Sequence, residues 1–498
     1  MFLLAIDQGT TNSRAIIFDR TGKVISLHEI PLKQSFPYPA WVEQDAQEMF
    51  DNTLNCCRMA LTNAKLSAKQ IAAVGISNQR ETTIIWDKRT GIPVYPAIVW
   101  QDRRTSNLCK QLASTPIAKQ ISQRTGLVMD PYFSATKVQW ILNHVEGARE
   151  RAEKGELLFG TVDCFLLWKL TQGKTHATDI TNASRTMLYN INDLCWDKEL
   201  LNLFTIPANI LPQVLDNTAM FGEIAADFLG AAIPVTGMAG DQQAAAIGQA
   251  CFTKGMVKAT YGTGCFMLLN TGTEIIHSSH QLLTTINYRI HQQTVYGLEG
   301  SIFSAGSTIE WLKDKLQMIQ HFAETEIIAK RTASSKGVYL VPAFTGLGAP
   351  YWDAHARGAI LGLTLDSGKD EIVRAGLECI AYQTRDLLDA MTAHGELKVL
   401  RVDGGMVVNN WFMQFLSDML ALEVHRPVCT ETTALGVAYL AGLQIGMYQS
   451  LEEIAEHWKM SSGFTANMPS TQRDELYQGW KHAVESARLL GVLNKGER

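Results

Sequence analysis

The stretch Phe2-Leu-Leu-Ala-Ile-Asp-Gln-Gly-Thr-Thr-Asn-Ser-Arg-Ala-Ile-Ile-Phe18 decides how the rest of the chain is read. Phe2–Ile6 is apolar and suits one buried strand, Asp7–Ser13 is a polar turn, and Arg14–Phe18 is a second strand. Thr21-Gly22 turns the chain again into a third strand, Lys23–Ile30, so the protein opens as a meander. A hairpin turn of this kind aims several backbone N–H groups at one point, a concavity that accepts phosphate oxygens. Arg14 adds a charge-assisted donor. Asp7, at a strand end, is a carboxylate that could hold a hydrated Mg2+. Taken alone, Asp, Gly and Asn are also what an ordinary hairpin uses.

The same layout returns in the second half. Met256–Thr260 reads as a strand, Tyr261-Gly-Thr-Gly264 as a turn and Cys265–Leu269 as a strand, a hint of internal duplication. Glycines there would let backbone approach a ligand closely. Further on, Lys398–Val402 is a strand, Asp403-Gly404-Gly405 a turn, and about Asn409 to Leu420 a helix. Each turn by itself is common. Three in this order match the nucleotide cleft of the actin-like ATPases: phosphate hairpin, second phosphate hairpin, adenosine loop. Strands alternate with helices in both halves, which predicts an α/β architecture.

At 498 residues the chain exceeds what one hydrophobic core holds, so two large domains are expected, 1–249 and 250–498. With 46% hydrophobic and 19% charged residues it is neither disordered nor fibrous. A net charge of −5 offers no basic surplus for a nucleic-acid backbone, so no nucleic-acid partner is expected. Nine scattered cysteines without a CxxC pair read as reduced thiols of a cytoplasmic protein. Phe2–Ile6 ends at Asp7 with no basic region before it, so no targeting segment is expected. Thr432–Leu451 is uncharged and about as long as a bilayer span, but three glycines and several polar residues make it a helix buried between protein layers.

Two further motifs bear chemistry. Arg80 and Glu81 are adjacent in Asn78-Gln-Arg-Glu-Thr-Thr83, at the start of an expected strand Glu81–Trp86. Neighbours on a regular strand point to opposite faces, so one site could use both only if the backbone bends; spacing alone favours a solvated charge pair. Gly240-Asp241-Gln242-Gln243 opens a helix expected to run over 242–250, with Asp241 at its N-cap. A carboxylate there can also act as a general base, and the helix dipole favours its charge. Trp100, Tyr132, Phe133 and Phe266 lie near these motifs, where aromatic residues more often belong to the core. The twelve histidines show no metal-binding spacing, and His355 and His425 read as structural.

Beyond these motifs the chain resembles the glycerol kinases of the FGGY carbohydrate kinase family along nearly its whole length. The matching stretches include Ala5–Thr11, Ser77–Thr83, Ala97–Trp100, Asp130–Ser134, Thr178–Met187, Ala239–Gln243, Tyr261–Phe266, Val341–Asp353 and Val402–Gly405. The resemblance implies two actin-like, ribonuclease H-like α/β domains around a central cleft. It implies ATP-dependent phosphorylation of glycerol to sn-glycerol 3-phosphate, with Mg2+, in a homo-oligomer (dimer or tetramer). By resemblance, Asp241 is the general base, and Arg80, Glu81, Tyr132, Asp241 and Gln242 bind the polyol oxygens. Trp100 and Phe266 pack against its carbons. Thr10, Thr11, Asn12, Arg14 and Thr263 contact phosphates, Gly306, Gly405 and Asn409 line the nucleotide, and Asp7 holds Mg2+ through water.

Two positions depart from the family pattern. Bacterial relatives commonly carry Gln where this chain has Glu310, near the nucleotide. Many also carry a Gly- and Lys-rich loop, ending in Thr-Arg, that binds the inhibitor fructose 1,6-bisphosphate; here Ala225–Pro234 has no Arg or Lys. Competing readings are a kinase of another polyol or ketose, and an actin-like ATP-binding module without catalysis. The combination of Arg80, Glu81, Tyr132 and Asp241 speaks against the latter.

Overall fold

Alternate residues of the opening strand face two different cores. In the structure, a computed structural model describing residues 1–353, 355–393 and 397–493, Leu4 and Ile6 pack with Met49, Leu54 and Ala60 of α1 (Ala46–Ala64). Leu3 and Ala5 pack on the other side against Val437, Leu440 and Ala441. A strand covered on both faces needs an unbroken apolar run.

The first sheet contains β1 (Phe2–Gln8), β2 (Asn12–Phe18), β3 (Val24–Pro31), β4 (Ile71–Asn78), β5 (Thr218–Ile224) and β6 (Ile233–Gly240), in the order β5-β6-β4-β1-β2-β3. β1 runs antiparallel to β2 and parallel to β4. β6 is followed by α2 (Asp241–Gly248). The second sheet contains β7 (Met256–Tyr261), β8 (Cys265–Gly272), β9 (Leu283–Ile290), β10 (Gln293–Ile302), β11 (Val399–Asp403), β12 (Val424–Pro427) and β13 (Met460–Phe464), in the order β9-β10-β8-β7-β11-β12-β13. β7 runs antiparallel to β8 and parallel to β11. The plan of the first sheet is repeated, with β7 in the place of β1. The shared strand–turn–strand pattern of the two halves therefore has a geometric counterpart.

Helices α3 (Gly306–Asp314), α4 (Lys369–Thr392), α5 (Asn410–Leu420), α6 (Thr432–Gln444) and α7 (Ser470–Leu493) belong to the second half of the chain. α6 nevertheless packs against β1, β4 and β6 of the first sheet and against α2. The α2–α6 crossing is a backbone contact: a Cβ on Gly436 would sit 1.8 Å from the Ala244 carbonyl oxygen, and one on Gly248 2.0 Å from that of Thr432. Of the uncharged 432–451 stretch, Thr432–Gln444 is thus a helix between layers and the rest is turn up to a new helix at Leu451, and no helix among the described residues is long and apolar enough to cross a membrane.

Three local expectations change. Asp7 and Arg14 lie inside strands, directly opposite each other, and the first turn shrinks to Gly9–Thr11. The strand expected from Glu81 starts only at Ile84. Asp241 is the first residue of α2, whose N-cap is Gly240. Nine cysteines are free, as expected for thiols outside a disulfide framework.

Candidate active site

The second hairpin turn and the Gly404 turn meet, and Trp100 links the first hairpin turn to the second: it bonds Thr10 and stands beside Phe266. In the first turn the Gly9 N–H donates to the Asn12 carbonyl at 2.9 Å. Thr10 is fixed from two sides: Trp100 Nε1 donates to its hydroxyl at 2.9 Å and Gln44 Nε2 to its carbonyl at 2.6 Å. Thr11 is exposed at the tip. Arg14 Nη2 pairs with Asp7 Oδ2 at 2.6 Å, and Nη1 reaches Glu431 Oε2 at 3.0 Å, just before α6. Burial pushes the Asp7 carboxyl up, Arg14 pulls it down, and the charge of Asp241 adds to the rise.

The second turn is held by the Gly262 N–H donating to the Gly264 carbonyl at 2.9 Å. The start of α3 docks on it: the N–H groups of Ala305, Gly306 and Ser307 donate to the carbonyls of Thr263, Gly262 and Thr263 at 3.0, 2.9 and 3.0 Å. A side chain at 306 would meet the Gly262 carbonyl at 2.6 Å. Thr263 is exposed at the tip, and Glu310, one turn into α3, is exposed as well. Gly404 has φ +93°, and a Cβ there would lie 2.4 Å from the Tyr261 carbonyl, so only glycine joins β11 to the second hairpin this closely. Gly405 differs, because a Cβ on it would meet nothing within 4 Å. Asn409 caps α5: its Oδ1 accepts from the Phe412 N–H at 2.9 Å while its Nδ2 donates to Thr325 at 3.2 Å.

Arg80 and Glu81 are 3% and 1% exposed, which overturns the solvated-pair reading. The backbone bends before the strand that begins at Ile84: Glu81 has φ +60°. Its carbonyl is held by Ser134 at 3.0 Å and by the Lys137 ammonium at 3.2 Å. Lys137 is buried, and burial lowers its pKa to about 8. Arg80 Nε lies 3.0 Å from Asp241 Oδ1. Its Nη1 and Nη2 bind Glu299 at 2.5 and 3.1 Å. Arg185 Nε binds Glu81 at 2.6 Å. Trp100 stands edge-on to Tyr132 and Phe266, with ring centres 5.5 and 6.1 Å away, and all three rings are only partly buried. Phe133 does belong to the core. Gln242 is buried beside Asp241 and accepts from the Lys258 ammonium.

The structure thus brings Arg80, Glu81, Tyr132, Trp100, Phe266, Asp241 and Gln242 together, with Asp7 in electrostatic reach of Asp241. Sequence reasoning missed Arg185, Glu299, Lys137, Lys258 and Glu431. Lys258 and Glu299 had a signal: each is a lone charge in a strand whose neighbours are apolar or small. Among the described residues no group of three His, Cys, Asp or Glu side chains could hold a metal ion. A single carboxylate such as Asp7 still suits Mg2+ carried by a nucleotide, which takes one or two carboxylates and fills the remaining positions with phosphate oxygens and water.

The sequence profile of the FGGY family of carbohydrate kinases, N-terminal domain, matches residues 2–248, and that of the C-terminal domain residues 257–445. The chain is 58% identical over 485 residues to a glycerol kinase of Alcanivorax borkumensis, covering 97% of each. It is 58% identical over 488 residues to glycerol kinase 1 of Pseudomonas aeruginosa, covering 98% of this chain and 99% of that one. The crystal structure of Plasmodium falciparum glycerol kinase with ADP is similar at 36% identity, covering 98% of both chains with a TM-score of 0.91. A ligand-bound xylulose kinase from Lactobacillus acidophilus, 21% identical over 99% of this chain and 98% of that one with a TM-score of 0.86, is alike in fold.

Proposed function

The chain belongs to the FGGY family of carbohydrate kinases, and we propose from this premise that it transfers the γ-phosphoryl group of ATP to glycerol, giving sn-glycerol 3-phosphate and ADP. The observation that carries the reading is the buried Arg80–Glu81 pair, bent onto one side beside Asp241 and next to the rings of Trp100, Tyr132 and Phe266. Glycerol offers three hydroxyls and little apolar surface. Charged donors and acceptors grip hydroxyls with strong, oriented hydrogen bonds, and ring faces and edges pack against the carbon–hydrogen side.

In this reading Arg80, Glu81, Tyr132, Asp241 and Gln242 hold the polyol oxygens, and Trp100 and Phe266 hold its carbons. Asp241 accepts the proton of the 3-hydroxyl as its oxygen bonds to the γ-phosphorus and the bond to ADP breaks. Phosphoryl transfer needs alignment and charge neutralisation more than covalent help. Thr10, Thr11, Asn12, Arg14 and Thr263 line the phosphates, and Gly306, Gly405 and Asn409 the rest of the nucleotide. Asp7 is the residue that would hold, through water, a Mg2+ ion brought by ATP, which would supply neutralisation of phosphate charge. We divide the chain into 1–249 and 250–498, with α6 of the second part completing the core of the first. The free thiols support a reducing, cytoplasmic setting, and a dimer or tetramer is the assembly the family resemblance implies. The test is ADP release from ATP with glycerol or D-xylulose as acceptor. Release that depends on glycerol and is far weaker with the pentulose supports the reading, and the reverse preference contradicts it.

A further inference from the structure

The residues that would grip glycerol are themselves gripped by two that have no assigned task. Arg80 is occupied by protein on all three nitrogens: Nε by Asp241 at 3.0 Å, Nη1 by Glu299 at 2.5 Å and Gln243 at 3.2 Å, and Nη2 by Glu299 at 3.1 Å. Arg185 closes the circuit, with Nε on Glu81 at 2.6 Å and Nη2 on Glu299 at 2.9 Å. The side chains of Arg185 and Glu299 are 0% and 1% exposed. Glu299 lies on β10 of the second sheet, whereas Arg80 follows β4 of the first. The two arginines hold Glu299 below the ordinary carboxylate range although burial works to raise it.

Two arginines and two glutamates cancel in charge, but burying them is a poor route to stability. Desolvation offsets most of the attraction, and apolar packing of similar volume serves a core as well. What the lattice does supply is orientation. A guanidinium bound bidentately by one carboxylate cannot rotate, so the face it turns to a ligand is set. Arg185 also stacks near the Tyr132 ring, 5.6 Å from its centre, and so touches a third member of the polyol site. Its Nη1 is buried with no hydrogen-bond partner among the described residues, which leaves a donor for an oxygen from outside the lattice.

Resting on the function proposed above, we infer that Arg185 and Glu299 are specificity-determining positioning residues. They hold Arg80 and Glu81 in the one orientation that grips adjacent hydroxyls. A vicinal polyol is thereby accepted over an acceptor that lacks the middle hydroxyl. A site built to hydrogen-bond a hydroxyl rejects the analogue without it, because its own buried polar groups are then left unpaired.

The experiment compares kcat/KM for glycerol and for propane-1,3-diol, which keeps both terminal hydroxyls, in the wild type, Glu299→Gln and Arg185→Lys. The ratio of the two values does not depend on the fraction of correctly folded enzyme, so a destabilised preparation still reports. Wild type is expected to favour glycerol strongly, and each variant to lose about 10- to 100-fold of that preference, the worth of one charged hydrogen bond. KM for ATP should stay within about twofold, since neither residue touches the phosphate turns. Glu299→Asp, which keeps the charge, should recover part of the ratio. Where Glu299→Gln yields no soluble protein, Arg185→Lys decides by the same measurement. An unchanged ratio, or equal rises in KM for glycerol and ATP, overturns the inference. Wild-type enzyme without glycerol-dependent turnover overturns the proposed function instead.

Discussion

Adding one methyl group at Gly405 separates the nucleotide's place from the fold's stability. The new Cβ would meet nothing within 4 Å, and the position has no left-handed φ. Gly405→Ala should therefore leave the protein without nucleotide as stable as before, or more stable by about 0.4–1 kcal/mol through the unfolded chain's lost freedom. Gly404→Ala is the contrast, with φ +93° and a contact of 2.4 Å to the Tyr261 carbonyl, and it should destabilise the fold outright. If the nucleotide lies against Gly405, the methyl intrudes on it. An overpacked methyl costs about 1–3 kcal/mol, or about 5- to 150-fold in the ATP requirement. The assay is an ATP titration at saturating glycerol, paired with thermal unfolding without nucleotide. A Gly405→Ala enzyme with unchanged melting temperature and an ATP KM within about twofold of wild type would refute the placement of the nucleotide on this loop.

Three further outcomes are expected. Glu310 is exposed on α3, so Glu310→Gln should leave the ATP KM within about twofold, because an exposed charge is screened by solvent; a clear fall in KM would show that the carboxylate faces the phosphates. Residues 225–234 present no Arg or Lys, Asp227 lies in the first turn of their short helix, and the nearby Arg58 is engaged by the Phe228 carbonyl at 3.1 Å. Activity should not respond to fructose 1,6-bisphosphate through this loop at low ionic strength, and saturable inhibition abolished by changing the loop would contradict this. Asp386 of α4 accepts hydrogen bonds from Tyr477 at 2.6 Å and Trp480 at 2.9 Å of α7, and burial raises its pKa from 3.8 to about 6. The folded state then binds the extra proton between those values, so wild-type stability relative to Asp386→Asn should fall by about 3 kcal/mol as pH rises from about 4 to about 6 and stay level above. Denaturant unfolding across that range showing a rise would reverse the sign.

The first hairpin, the repeat of its plan at Met256 and the helix after Gly240 were legible because their signals are local: an apolar run, a turn, a glycine. Local chemistry also drew attention to Arg80, Glu81 and Asp241. It misjudged the first two, since an adjacent Arg and Glu look solvated until the chain bends at Glu81, and what holds that bend is Lys137 and Ser134 on a later helix. Glu299 and Arg185 stand 219 and 105 positions from Arg80, in a lattice that exists only once the two sheets are packed. The lone charge in β10 was the available hint. Asp7 was seen as a turn residue because the strand's apolar pattern stops before it, yet the cross-strand partner Arg14 lets a charge remain in the ladder.

Asp241 gives the most direct measurement. Asp241→Asn keeps the size of the side chain and the 3.0 Å approach to Arg80 but cannot take a proton. Glycerol binding by calorimetry and turnover in an ADP-release assay, measured on the same preparation, should separate. Affinity should change by only a few-fold while turnover falls by about 10²–10⁴-fold. Turnover within about twofold of wild type would contradict Asp241 as the base, and with it the chemistry assigned to this cleft.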